Sequence, residues 1–323
     1  MRLICACYGR NGMIRLIMSE YSIGLDLGGT NLRAAAVDRS GKMLDKVSGK
    51  TQYSEGREAI IHDMVEAIEV MRHKFGKENL SGIGIGVPGF ISLKEGVIKN
   101  CNNIQTLENF PIRDEIGKRL ETTVILENDA NAAALGEKWI GAGRDVDDLV
   151  MLTLGTGIGG GIISGGKVLR GVNGMAGELG HITAVPYGNP CGCGNRGCVE
   201  KHASATAIGA MARNLGLGAN LTAQDVHALA EQGDPRAQSV FRSAGESLGI
   251  ALASLINIFN APLYLLGGGV SAAWDHFAPA MLAEVEHRSL TYRLTRDTTR
   301  IERATLGGDG GLYGAASLPL REK

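Results

Sequence analysis

The sequence predicts an α/β protein with more than one domain, on three observations. Apolar strands alternate with segments of helical periodicity, which is typical of sheets covered by helices. Two glycine-rich hairpins, one near the start and one near the middle, begin halves of similar layout. A chain of 323 residues is also long for a single core. We therefore expect a small α/β domain over residues 21–134, completed by a C-terminal helix in residues 307–323, and a large α/β domain over residues 135–306.

The individual elements follow from apolar spacing and from turn residues. The first hairpin has strands at 23–27 and 32–37 around Gly28-Gly29-Thr30-Asn31, and the second has a strand at 149–154, the turn Gly155–Gly161 and a return strand from Ile162. Further strands are predicted at 82–87, 123–126 and 263–266. Helices are predicted at 58–75, 113–120, 131–139, 205–215, 223–230 and 237–257, with a final helix from Gly308.

Composition excludes several classes of partner. The formal net charge is −1, so electrostatics give no reason to expect nucleic acid or an anionic membrane as a partner. No apolar run approaches the roughly 20 residues of a membrane span, and we expect a cytoplasmic protein. Residues 1–20 are interpreted as an extension without fixed structure, of which the first 17 arise from an upstream start codon and are dispensable. The alternative is a functional tail that uses Cys5 and Cys7.

A segment in the middle of the chain indicates a metal site. Cys191, Cys193 and Cys198 fall within eight residues, and His181 lies ten residues upstream of the first. Three thiolates and one imidazole complete the tetrahedral shell that zinc prefers, and four protein ligands leave no position for a catalytic water. A disulfide would leave one cysteine over and would not need the histidine. We therefore expect a structural zinc ion, with free thiols or a redox pair as the alternative.

The two glycine turns indicate phosphate binding. A strand follows the run Gly155–Gly161, whereas a dinucleotide-binding fold needs a helix there, so NAD binding is rejected. Backbone amides in such turns can cradle anions, and two turns from two halves suggest a phosphate chain held between domains. Plain tight hairpins are the alternative. Asp26 precedes the first turn in an apolar strand, where either hydrated Mg²⁺ or backbone amides would compensate its buried charge.

Other candidate residues stand where strands end. Asp129 closes a buried strand and precedes a helix, which favours catalysis, although aspartate there is also a good helix N-cap. Pro88-Gly89-Phe90 and Asn102-Asn103 are turn-prone and could line a polar-substrate cleft or be plain loops. Gly267-Gly268-Gly269 follows a strand, where a flat base can approach the backbone.

Taken in order, these pieces resemble the ROK family of sugar kinases and repressors, which has the actin-like and hexokinase-like (ribonuclease H-like) ATPase fold. The resemblance covers about residues 20 to 316 and is most specific in Gly177-Glu178-Leu179-Gly180-His181 and in the cysteine segment that ends at Glu200. From Glu200 onward the chain is similar to the glucokinases of that family. The resemblance implies two domains around a cleft, ATP with Mg²⁺, a homo-oligomer (dimer or tetramer), and phosphorylation of glucose at its 6-hydroxyl.

The resemblance also implies roles for single residues, with Asp129 as the catalytic base. The sugar contacts would be Pro88, Gly89, Asn103, Asn128, Asp129, Glu178, His181 and Glu200, with His181 also a zinc ligand. The nucleotide contacts would be Asp26, Gly28, Gly29, Thr30 and Asn31 in the first phosphate motif, Gly155, Thr156, Gly157 and Gly159 in the second, and Gly267, Gly268 and Gly269 in the adenosine motif.

Alternative functions stay open within the family. A kinase for fructose, mannose or an N-acetylhexosamine such as N-acetylmannosamine would use the same residues, and the donor is either ATP or polyphosphate. A sugar-responsive transcriptional repressor needs a helix-turn-helix ahead of the first hairpin, and about 20 residues are too few for it.

Overall fold

The computed structural model describes residues 20–28, 31–101 and 104–321, in which two five-stranded sheets, one two-stranded sheet and ten α-helices are found. The strands are β1 (Tyr21–Leu27), β2 (Asn31–Asp38), β3 (Met43–Lys50), β4 (Leu80–Val87), β5 (Phe90–Ser92), β6 (Val97–Asn100), β7 (Val124–Asn128), β8 (Leu149–Leu154), β9 (Ile158–Ser164), β10 (Lys167–Val168), β11 (Leu263–Gly267) and β12 (Arg300–Arg303). The helices are α1 (Arg57–Phe75), α2 (Ile112–Leu120), α3 (Asp129–Trp139), α4 (Glu200–Ala203), α5 (Ala205–Asn214), α6 (Ala223–Glu231), α7 (Pro235–Phe259), α8 (Trp274–Arg288), α9 (Leu290–Thr295) and α10 (Gly310–Arg321).

The first sheet has the strand order β3-β2-β1-β4-β7. β1 pairs antiparallel with β2 through the predicted hairpin and parallel with β4, which in turn pairs parallel with β7. In this register Asp26 lies opposite Gly86, and Val87 lies opposite Asn128. The carboxyl ends of three parallel strands therefore meet at one edge of the sheet, which is where ligands bind in open α/β sheets.

The second sheet repeats the layout of the first, as the two glycine-rich hairpins predict. Its strand order is β10-β9-β8-β11-β12, with an antiparallel β8-β9 hairpin and β11 parallel to both β8 and β12. Gly267, at the end of β11, lies opposite Thr153 near the end of β8. The glycine turn after β8 and the glycines after β11 consequently occupy the same edge of this sheet.

Each sheet packs against helices through an apolar core. On the first sheet, α1 buries Ile60, Met64, Ile68 and Met71, whose spacing places them on one helix face. On the second, the 25-residue α7 packs along α8 and is buried over much of its length. Even so, none of the helices in the described ranges is both long and apolar enough to cross a membrane.

Helices α3 and α10 pack against each other between the two sheets. α10 contacts β1 and β4 of the first sheet, and α3 contacts β8 and β9 of the second. Glycines allow this close approach: a Cβ atom on Gly84 would lie 1.9 Å from the carbonyl oxygen of Ala315, and one on Gly314 would lie 1.6 Å from that of Ala132. The last helix thus packs on the first sheet, and the domain boundary that the sequence predicts after residue 134 falls inside α3.

The structure also contains elements that the sequence patterns do not indicate. β3 is an edge strand with mostly exposed polar residues, so it lacks the alternation that marks a half-buried strand. α8 has a weakly amphipathic sequence and a proline, Pro279, in its interior. α3 begins at Asp129, two residues before the predicted start, because its cap precedes that residue.

Candidate active site

Asn128 forms the turn between β7 and α3. Its side-chain Oδ1 accepts hydrogen bonds from the backbone N–H groups of Ala130 and Asn131, at 2.9 and 3.1 Å, which makes it the helix N-cap. Its Nδ2 donates to the carbonyl oxygen of Gly89 at 3.2 Å and so ties the Pro88-Gly89 turn to this site. The alternative that assigned the cap to Asp129 is therefore wrong, because Asp129 is the first residue inside the helix.

Asp129 lies directly after that cap, half-buried at the edge of the first sheet. Burial, together with the negative charges of Asp26 and Glu178, raises its pKa from 3.8 to about 7, although a hydrogen bond from the N–H of Ala130 counteracts part of this effect. A carboxyl group with a pKa near neutrality can accept a proton from a hydroxyl group efficiently. The environment of Asp129 thus suits a general base.

The first glycine turn lies beside a buried ion pair. Asp26 is 8% exposed and binds the guanidinium group of Arg33, its cross-strand partner in the β1-β2 hairpin. Burial raises the pKa of Asp26, although Arg33 counteracts this effect. Arg33 also donates to the carbonyl oxygen of Gly308 at 2.6 Å, and the N–H of Gly28 donates to Asn31 at 2.9 Å to close the turn. The charge of Asp26 is therefore balanced by an arginine.

The second glycine turn is held by the start of α5. The N–H of Ala205 donates to the carbonyl oxygen of Gly155 at 2.8 Å, and Thr206 Oγ1 donates to that of Thr156 at 2.7 Å. An open cavity of about 370 Å³ lies beside Thr156 and is also lined by Arg213 and Leu221. Its volume is within the range of small-molecule sites. This turn consequently borders a cavity large enough for part of a nucleotide.

The remaining predicted glycines lie close to this turn. Gly268 has φ +82°, and a Cβ atom on it would lie 2.4 Å from the carbonyl oxygen of Leu154, the last residue of β8. Gly269 begins a short 3₁₀ helix that leads into α8, and Gly159 lies within β9 against α3. Among the described residues, the three glycines 267–269 are not part of the cavity wall. They border the end of β8 instead.

The cysteine loop brings its four predicted ligands together. His181 Nδ1 lies 3.6 Å from Cys191 Sγ, and Cys193 Sγ lies 3.7 Å from Cys198 Sγ, with all four ligand atoms within 4.8 Å of one another. Around a tetrahedral zinc ion, sulfur–sulfur edges are about 3.8 Å and nitrogen–sulfur edges about 3.6 Å, from the usual bond lengths. The residues therefore fit a tetrahedral zinc ion.

Two glutamates connect the cysteine loop to the surroundings of Asp129 and to the second glycine turn. Glu178 Oε2 lies 4.0 Å from His181 Nε2. The histidine therefore directs Nε2 at this carboxylate and Nδ1 at Cys191 Sγ. Burial raises the pKa of Glu178, His181 counteracts part of this effect, and the nearby charge of Glu200 adds to it. Glu200 Oε2 accepts a hydrogen bond from the N–H of Ile158, at the end of the second glycine turn, at 3.1 Å. Glu178 thus lies beside the histidine of the loop, and Glu200 lies beside the second glycine turn.

Sequence reasoning missed three charged residues at this site. Arg33 could have been found, because a hairpin centred on residues 28–31 pairs it with Asp26. Glu127 is 2% exposed and binds Arg170 at 2.6 Å, across 43 residues of sequence, so no spacing rule connects the two. The predicted contacts Gly29, Thr30 and Asn103, as well as Cys5 and Cys7, lie outside the described residues.

Two mixed sheets of matching strand order, with a helix pair between them, define the class of actin-like and hexokinase-like ATPases. The ROK family model matches residues 22–322, and the chain belongs to that family. A glucokinase of Halalkalibacterium halodurans is 39% identical, over 94% of this chain and 96% of the relative.

Solved structures agree with this assignment. A ROK hexokinase from Thermus thermophilus superimposes with a TM-score of 0.80 at 36% identity, covering 94% of this chain and 100% of that one. A ROK family glucokinase from Streptomyces griseus, in complex with glucose and AMPPNP, has a TM-score of 0.79 at 34% identity, over 92% and 98% of the two chains.

Proposed function

We propose that this protein transfers the γ-phosphoryl group of ATP to the 6-hydroxyl of glucose, with Asp129 as the general base. The similar glucokinases, one of them in complex with glucose and an ATP analogue, support the substrate pair. The observation that carries the mechanism is the carboxyl group of Asp129 at the start of α3, whose pKa is raised to about 7 by burial and by the charges of Asp26 and Glu178. Phosphoryl transfer depends mainly on positioning and on charge neutralisation, and this edge of the sheet provides groups for both.

In this mechanism Asp129 accepts the proton of the attacking hydroxyl group. The N-cap hydrogen bonds of Asn128 fix the backbone of Asp129 as the first residue of α3, and the N–H of Ala130 donates to its Oδ1 at 2.9 Å. Hydrogen bonds from the sugar hydroxyls to the carboxylates of Glu178 and Glu200, and from the Nε2–H of His181 to a sugar oxygen, would orient the hexose. Asn128, Asn103 and the Pro88-Gly89 turn would lie on its other side. Closure of the two domains would exclude water, which otherwise accepts the phosphoryl group.

The nucleotide would lie across the two glycine turns, with its phosphates at Gly28–Asn31 and Gly155–Gly157 and its base near Gly267–Gly269. Asp26 is the residue that would bind a water ligand of Mg²⁺ through Oδ1, because its ion pair with Arg33 uses Oδ2. Mg²⁺ neutralises phosphate charge when bound. Arg33 would then keep the carboxylate of Asp26 in place and reduce the cost of burying it.

We further propose that His181, Cys191, Cys193 and Cys198 hold a structural zinc ion. The tetrahedral spacing of the ligand atoms supports this assignment. Nδ1 of the histidine would bind the metal while its Nε2–H points to Glu178, an arrangement common among metal-bound histidines. The zinc ion would fix the loop that carries the sugar-binding carboxylates. Elemental analysis of protein purified without added metal should find about one zinc per chain, and fully active zinc-free protein would contradict the proposal.

A coupled assay over a panel of hexoses and donors tests the function. We expect the highest kcat/KM with glucose and ATP, and lower values with mannose, fructose, N-acetylmannosamine and polyphosphate. A clear preference for another sugar would keep the chemistry and change the substrate. Turnover with none of these sugars would reject the proposed function. The prediction of a homo-oligomer is tested on the same samples by light scattering.

A further inference from the structure

A second cluster of metal-binding side chains lies on the helices of the second sheet and shares no residue with the cysteine loop. His227 and Glu231 are four residues apart on α6, so both project from the same helix face. His276, near the start of α8, faces them. One ligand atom from each of the three side chains lies within 4.8 Å of the others.

The geometry of this cluster is convergent. His276 Nε2 lies 2.6 Å and His227 Nε2 lies 3.4 Å from the same oxygen, Glu231 Oε1. The two imidazole rings are 5.5 Å apart, and each lies 5.9 Å from the buried ring of Phe241 on α7. Packing against Phe241 therefore holds both imidazoles in orientations that direct Nε2 at one point.

We propose that His227, Glu231 and His276 form a binding site for a divalent transition-metal ion, which joins α6 to α8. Two imidazoles and one carboxylate suit zinc, nickel or cobalt, whereas magnesium and calcium prefer oxygen ligands alone. Tetrahedral edges between such ligands are about 3.3 Å, close to the 3.4 Å between His227 and Glu231. The shorter contact to His276 requires Glu231, whose side chain is 60% exposed, to move outward by less than about 1 Å.

The site is open to solvent and would be filled by exchange. The side chains of His276 and His227 are 17% and 26% exposed, so the metal would complete its shell with water. Both helices are close to nucleotide-binding elements: α6 begins at the cavity wall, and α8 follows the 3₁₀ helix Gly269–Ala273. A bound ion would therefore stabilise α6 and α8 relative to each other, next to the proposed nucleotide site. This effect does not depend on which sugar the protein phosphorylates.

Nickel binding to the full-length protein tests this proposal, because nickel prefers imidazole and the cysteine loop can be loaded with zinc beforehand. Calorimetric titration with Ni²⁺ at pH 7.5 should show one site per chain, and saturation should raise the melting temperature by a few degrees. His276→Gln and His227→Gln should each weaken Ni²⁺ affinity by more than about tenfold and remove the melting shift, because each loses a direct ligand.

His287→Gln is the matched control, since it is the same substitution at an exposed position of the same helix, α8. It should bind Ni²⁺ like the wild type. Melting curves of the metal-free variants establish that each one folds. Because His227 and His276 lie on different helices, a folding defect in one variant would still leave the other to test the site. Equal Ni²⁺ uptake by all four proteins, or no uptake by folded wild type at 100-fold molar excess, would overturn the proposal and leave an ordinary His–Glu hydrogen-bond cluster.

Discussion

Substitution of Asp129 by asparagine should separate catalysis from stability. The pKa of Asp129 is raised from 3.8 to about 7, mainly by burial. At 1.36 kcal/mol per unit, ionising this group costs the folded protein at most about 4 kcal/mol. The sign follows from linkage: between these two pKa values the folded protein binds more protons than the unfolded chain, so stability falls as the pH rises through this interval. Asparagine carries no charge and avoids this cost.

We therefore expect Asp129→Asn to lose about 10²-fold or more in kcat, because an amide cannot accept the proton. The variant should also melt several degrees above the wild type at pH 8.5, with a smaller difference at pH 5. The N-cap is untouched, since Asn128 provides it. In the wild type, kcat/KM should fall tenfold per pH unit below about 7.

Initial rates with saturating ATP and scanning calorimetry at the two pH values measure these effects. Asp275→Asn is the control, because it removes an exposed acid from the first turn of another helix, α8, and should change neither quantity. The reasoning would be refuted by an Asp129→Asn enzyme with near-normal turnover. A stability difference that is independent of pH would refute the raised pKa.

Three further substitutions test other contacts. The Cys193→Ser variant should lose the zinc ion, melt at a lower temperature and bind glucose more weakly, because the loop loses one metal ligand. Elemental analysis, calorimetry and equilibrium binding measure these effects, and retained zinc would contradict the ligand assignment. Glu127→Gln should cost about 1–3 kcal/mol in chemical denaturation, because it removes the charged partner of Arg170 at a buried position, and an unchanged midpoint would show that this ion pair contributes nothing. Gly84→Ala should reduce stability by about 1–3 kcal/mol or more, since its Cβ would meet the backbone of α10. Gly49→Ala is the control and should be near neutral, because open space surrounds Gly49; equal melting temperatures of the two variants would contradict the close packing.

Local patterns predicted much of the fold and of the candidate site. The β1-β2 and β8-β9 hairpins follow from apolar alternation around glycines, and the four ligands of the cysteine loop follow from residue type and spacing. Both signals act within about 20 residues of chain, where sequence order still determines which groups meet. The position of Asp129 at a strand end followed from the same local reasoning.

Contacts between distant segments could not be predicted in this way. The approach of α10 to the first sheet depends on Gly84 and Gly314 meeting backbone that lies far away in sequence. The ion pair between Glu127 and Arg170 likewise has no sequence spacing that would reveal it. The sequence likewise left open whether Asp129 caps α3, because asparagine and aspartate cap equally well and only the backbone angles decide which residue lies outside the helix.

The most direct test of the proposed reaction is the identity of its products. Purified protein incubated with glucose, ATP and Mg²⁺ should form glucose 6-phosphate and ADP in equal amounts, which phosphorus and carbon NMR of the unfractionated mixture would show. Asp129→Asn should form neither at a comparable rate. Phosphate on another hydroxyl group, or ADP released without any phosphorylated sugar, would contradict the account.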